Sequence, residues 1–130
     1  MSKYNNSKVQ TPDGELFDSV KEYKRCLQLR TLQRAGKISE LQRQVKFELI
    51  PAQYEIVERY GKTGRRLKDE RKMLEQATYY VADFVYKDKD GKTVVEDVKG
   101  WNTSKSAAYS LFVVKRKLML YRYGIKILET

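Results

Sequence analysis

The sequence predicts one α/β domain, a mixed sheet flanked by two helices in the order helix, strand, strand, strand, helix, strand. Three observations lead there. Two stretches carry apolar residues at helical spacing. A run rich in aromatic and β-branched residues, TYYVADFVY, is followed by a turn and a second such run. The chain is 130 residues long and 41% apolar, which suits one compact domain with a core of its own.

The elements follow in chain order. Residues 1–14 predict a frayed tail that ends in the turn signal Thr11-Pro12-Asp13-Gly14. Over 19–35, Val20, Tyr23, Leu27 and Leu32 fall at helical intervals with Cys26 and Leu29 beside them, and Gly36 supplies the stop. Phe47-Glu48-Leu49-Ile50, before Pro51, reads as a short strand. Residues 53–76 are densely charged and read as an extended loop or strand edge with a mobile insertion. Residues 78–86 form the next strand, 87–92 a hairpin turn, and 93–98 the returning strand. The second helix spans 104–122 with Ala107, Leu111, Val114, Leu118 and Tyr121 as its core face. Gly124 ends it, and 125–128 make the last strand.

Twenty-seven Lys and Arg against seventeen Asp and Glu give a net charge of +10. With a pI near 9.6, the chain attracts polyanions, since each neutralised phosphate releases condensed counterions. Histidine is absent, which excludes Ser-His-Asp hydrolysis, histidine bases and histidine zinc sites. The single cysteine, Cys26, cannot form an internal disulfide and points to a reducing, cytoplasmic setting. No apolar run approaches the ~18 residues of a membrane span.

Chemistry without histidine must come from carboxylates, lysine, tyrosine or a hard metal. Asp83 lies inside an apolar strand, where a carboxylate is costly without a partner. Asp97 and Lys99 are one residue apart, so on a strand they share a face. The intervening hairpin can bring Asp83 and Asp97 together, and two close carboxylates favour a cation such as Mg²⁺ or Mn²⁺. Lys99 beside it could position or deprotonate an attacking water. The same spacing fits a basic sheet protein in which Asp97 and Lys99 form a surface pair. Gly61-Lys62-Thr63 and Gly91-Lys92-Thr93 lack the upstream glycine of a P-loop.

Asp83, with Asp97-Val98-Lys99 after the strand-turn-strand, resembles the PD-(D/E)XK nuclease superfamily, with Ala82 in place of the motif proline. FDSVKE, QVKFELIP, YVADFVY and VVEDVKG also resemble a family of short phage and prophage proteins related to Holliday junction resolvases, over residues 15–129. The resemblance implies a restriction-endonuclease-like core and a Mg²⁺-dependent DNA endonuclease in phage recombination or replication, working in the host cytoplasm. It implies metal ligands at Asp83, Asp97, the Val98 carbonyl and Glu22, with Lys99 catalytic beside them. Glu22 has a competing reading, because Ser19-Val20-Lys21-Glu22 is a capping box. Strand alternation sends Glu96 to the face opposite Lys99, so Asp97 is the expected ligand. Gln44 stands at the edge of this region and reads as a solvated loop residue.

Arg65, Arg66, Lys68, Arg71 and Lys72 in the charged segment are candidate DNA contacts, as are Lys105, Lys115 and Arg116 on the second helix. Such contacts fix position without reading sequence. Trp101, just past Lys99-Gly100, could stack on a base or cap the core. Paired cuts by a resolvase require a two-fold dimer, for which Phe112 or Val113 beyond the core stripe are candidates. The alternatives are a nicking or flap-processing nuclease and a non-catalytic DNA-binding accessory protein. An RNA-processing role lacks the aromatic surface motifs of single-strand RNA binders.

Overall fold

The computed structural model describes residues 7–100 and 106–130. Among the described residues, eight strands and two helices make a mixed α/β arrangement: β1 Val9–Gln10, β2 Leu16–Phe17, α1 Val20–Arg34, β3 Ser39–Ile50, β4 Gln53–Tyr60, β5 Arg66–Glu75, β6 Thr78–Lys87, β7 Thr93–Asp97, α2 Ala107–Tyr123 and β8 Leu128–Glu129. Among the described residues, no helix is long and apolar enough to cross a membrane.

The described residues fall into two compact units, 1–46 with 81–130, and 47–80. The first carries the main sheet, ordered β3-β6-β7-β8. β6 and β7 are antiparallel, in a register that runs from Lys87↔Thr93 to Phe84↔Glu96. β7 and β8 are parallel, so the sheet is mixed. The β6–β7 turn is closed by Asp88, whose carboxylate accepts from the Asp90 and Lys92 N–H groups at 2.9 Å each. Gly91, at φ 77°, supplies the left-handed residue of that turn.

Along β6, Tyr80, Ala82, Phe84 and Tyr86 are buried and the residues between them less so, the period of two expected of a strand. Phe84 and Tyr86 pack with Phe17, Cys26 and Leu29, so this face of the sheet meets α1. Ser19 caps α1, accepting from the Glu22 N–H at 3.1 Å. Gly124 closes α2 at φ 67°, donating to the Leu120 carbonyl at 3.0 Å.

Several expectations change. Val9–Gln10 pairs with Leu16–Phe17, so the segment after residue 6 is a small hairpin, not a tail. The strand expected over 47–50 begins at Ser39, because polar Gln42, Arg43 and Gln44 hide its alternation. The charged segment is no loop: β4 and β5 form an antiparallel ribbon within the second unit. On α2 the buried residues are Phe112 and Met119, while Leu111, Val114 and Tyr121 are exposed. The stripe chosen from the sequence is one position out of phase, and Phe112 is therefore core, not an exposed interface candidate.

Candidate functional site

The site is built where the β6–β7 ladder ends. The register places Phe84 opposite Glu96, so the next residues, Asp83 and Asp97, oppose each other and share a face. There the ladder changes partner. The Val98 N–H donates to Asp83 Oδ2 at 2.7 Å, a carboxylate standing where a backbone carbonyl would be. Val98, whose carbonyl the resemblance implies as a ligand, thus contributes its N–H to the site.

Glu22 reaches the same place from the first turn of α1. It is 2% exposed, and its Oε2 accepts from the Asp18 N–H at 3.0 Å. That is a variant of the capping box, displaced by one residue from the N-cap amide, and it leaves Oε1 for the site. Gln44 completes the link, donating through Nε2 to Glu22 Oε1 at 2.9 Å and to Asp83 Oδ1 at 3.3 Å. It is exposed, as expected, but on a strand and not in a loop. It lies within β3 at φ 53°, a left-handed conformation that is uncommon for a residue with a side chain and concentrates at functional sites.

The carboxylates strain against one another. Burial pushes the Asp83 carboxyl up to about 7; the Val98 N–H opposes this, and the charges of Asp97 and Glu22 add to it. Burial also raises Glu22, against the pull of the Asp18 N–H. Arg43, 3.9 Å from Glu22 and stacked on Phe17, is the nearest cation to that residue. Lys99 pairs with Asp97, and its ammonium also lies 3.1 Å from the centroid of the Phe112 ring. One carboxylate oxygen from each of Asp18, Glu22 and Asp83 lies within 4.8 Å of the others. The sequence reading missed Asp18; its place just before the Ser19 cap was the available signal.

Glu96 points the other way, as alternation requires. It is fully buried, held by Arg25 through two bonds of 2.8 Å and by the Tyr86 hydroxyl. Its lone pairs are spent on the fold, so Asp97 is the neighbour that faces the site. Backbone bonds tie the motif strand to the end of β8: the Lys99 N–H donates to the Thr130 carbonyl at 2.9 Å, and the Thr130 N–H to Asp97 at 3.0 Å.

Asp83, Asp97, Lys99, Val98 and Glu22 are thus gathered in the first unit. The family comparison covers nearly the whole of this arrangement: residues 1–128 match the model of a family described as "Protein of unknown function (DUF1064)". The chain belongs to that family. No curated protein and no solved structure matches it.

The remaining candidates of this DUF1064 member are dispersed. Arg65, Arg66, Lys68, Arg71 and Lys72 lie on or beside the ribbon of the second unit, whereas Lys115 and Arg116 are on α2. Arg116 is paired with Glu129 at 3.3 Å, which weakens its case as a phosphate contact. Trp101 and Lys105 lie outside the described residues.

Proposed function

We propose that this protein is a Mg²⁺-dependent DNA endonuclease of the PD-(D/E)XK type with a restriction-endonuclease-like core, acting on branched DNA. One observation carries the reading. Asp83 and Asp97 oppose each other at the opened end of the β6–β7 ladder, with Lys99 beside Asp97 and Glu22 joined to Asp83 through Gln44. Burial, with the charges of Asp97 and Glu22 adding to it, holds the Asp83 carboxyl near 7, as suits a carboxylate that awaits a cation.

The donor set is entirely oxygen, which suits Mg²⁺ or Mn²⁺. Asp18, Glu22 and Asp83, whose oxygens converge, would hold the ion, with Asp97 and the Val98 carbonyl as ligands by resemblance. Such an ion supplies charge neutralisation at the phosphate and acidifies water. The chain's own groups do the rest. Gln44 holds two carboxylates at a fixed separation. The Val98 N–H orients Asp83. Lys99 offers a cation to the phosphate or to the attacking water, held in place by the Phe112 ring and Asp97.

Branched DNA is the favoured substrate because of the resemblance to resolvases and because symmetric cutting needs no separate sequence-reading domain. Cleavage of a labelled four-way junction, a nicked duplex and an intact duplex, with Mg²⁺ or Mn²⁺, tests the proposal. Paired cuts near the branch point are expected. Both Asp83→Ala and Lys99→Ala, shown to be folded, should cut at least about 100-fold more slowly. Cutting of every substrate would replace the resolvase by a general or nicking nuclease. DNA binding with no cutting would put the non-catalytic accessory protein first.

A further inference from the structure

The ribbon of β4 and β5 is the part of the chain that the site does not use. Every residue of β5 is exposed, and of β4 only Val57 is partly covered. An isolated two-stranded ribbon is marginal in water, so both its faces left bare call for an external occupant. Its charge says which kind. Residues 59–68, around the turn, hold five cations, Arg59, Lys62, Arg65, Arg66 and Lys68, and no acid. Arg59 and Arg66 are paired with Glu70, Glu58 and Asp69 inside the ribbon. Lys62, Arg65 and Lys68 have no carboxylate partner among the described residues. Like charges gathered at one end of an arm are costly unless a polyanion meets them.

We infer that the β4–β5 ribbon is a DNA-binding arm that enters the major groove of a duplex, with Lys62, Arg65 and Lys68 on the flanking phosphates. The dimensions agree: strands about 4.8 Å apart, with side chains on both faces, match a groove about 12 Å wide and exceed a minor groove of about 6 Å. The register shift between Val57 and Arg59 marks a bulge, which increases twist and lets a ribbon follow a helical groove. On one face, Tyr54, Ile56, Tyr60 and Met73 stand exposed, with Arg71 stacked 3.7 Å over the Tyr54 ring. That surface offers apolar contact to thymine methyls and a guanidinium to guanine. The inference rests on DNA as the partner, and not on the cleavage chemistry.

The test is binding of a fluorescent B-form duplex to the full chain in EDTA, across a salt series. The triple variant Lys62→Ala, Arg65→Ala, Lys68→Ala removes only side chains with no carboxylate partner among the described residues. It should bind about 100-fold more weakly at 0.1 M salt, with a salt slope lower by about 3. Its Mn²⁺ affinity should equal that of wild type. An A-form RNA duplex, whose major groove is too narrow for side chains, should bind weakly, and netropsin in the minor groove should not compete. Wild type and variant binding DNA equally would overturn the arm and leave the nuclease reading intact. Equal binding of both duplexes would overturn groove entry, and a wild type that binds no DNA would sink the DNA reading with it.

Discussion

Asp83 is the central residue of the proposed site, and its titration has a measurable consequence. Its folded value, about 7, lies above the ordinary 3.8, so the folded protein keeps a proton that the unfolded chain sheds. The stability this contributes is complete below pH 3.8 and is lost as pH rises through about 7. Glu22 shifts in the same direction. In metal-free protein, Asp83→Asn should therefore gain in melting temperature relative to wild type as pH rises from 5 to 8. A difference that stays constant with pH would show that Asp83 is not held protonated. On the proposed reading Mg²⁺ would compete for the same oxygen atoms, so its binding near pH 6 should release a proton. Calorimetry in buffers of different ionisation enthalpy would detect it, and Asp83→Asn should abolish it.

At the scale of elements, α1 does two jobs at one end of the β6–β7 pair. Its first turn sends Glu22 to the site, while Arg25, one turn later, neutralises Glu96 on the other face. Removing Arg25 leaves a buried charge, so Arg25→Ala should cost about 3 kcal/mol in chemical denaturation. Replacing Glu96 by Gln in that background should recover part of the loss. No recovery would mean that packing of the arginine stem, and not charge, sets the cost. The sequence disclosed α1 well, because serine, the S-x-x-E spacing and Gly36 mark both ends. It disclosed the β6–β7 hairpin equally well, through aromatic runs around Asp90-Gly91. It hid β3, β4 and β5, where charged side chains on bare or half-bare faces leave no apolar alternation to count. On α2, Leu111, Val114 and Leu118 make a stripe as regular as the buried one, and only packing shows that Phe112 and Met119 face inward. Strand parity anticipated that Asp83 and Asp97 oppose each other, whereas Lys99 lies past the end of β7 and meets Asp97 from there. Gln44 was not anticipated, since its reach depends on a left-handed backbone that glutamine rarely adopts.

For the whole molecule, a net charge of +10 favours fast, salt-sensitive encounter with any polyanion. Cutting both strands of a junction symmetrically demands two sites related by a two-fold axis. Sedimentation equilibrium should then return a dimer, alone or on a junction. A monomer on both would favour the nicking or flap-processing enzyme. The placement of the ribbon bears on how such a molecule can vary. The strands on either side of it, β3 and β6, are neighbours in the main sheet, so everything between them is topologically one long connection. Loop closure grows slowly with length, about 0.6 kcal/mol for each doubling. The arm can therefore lengthen, shorten or exchange its tip without altering which strands pair, leaving its reach free to diverge while Asp83 and Asp97 stay opposed.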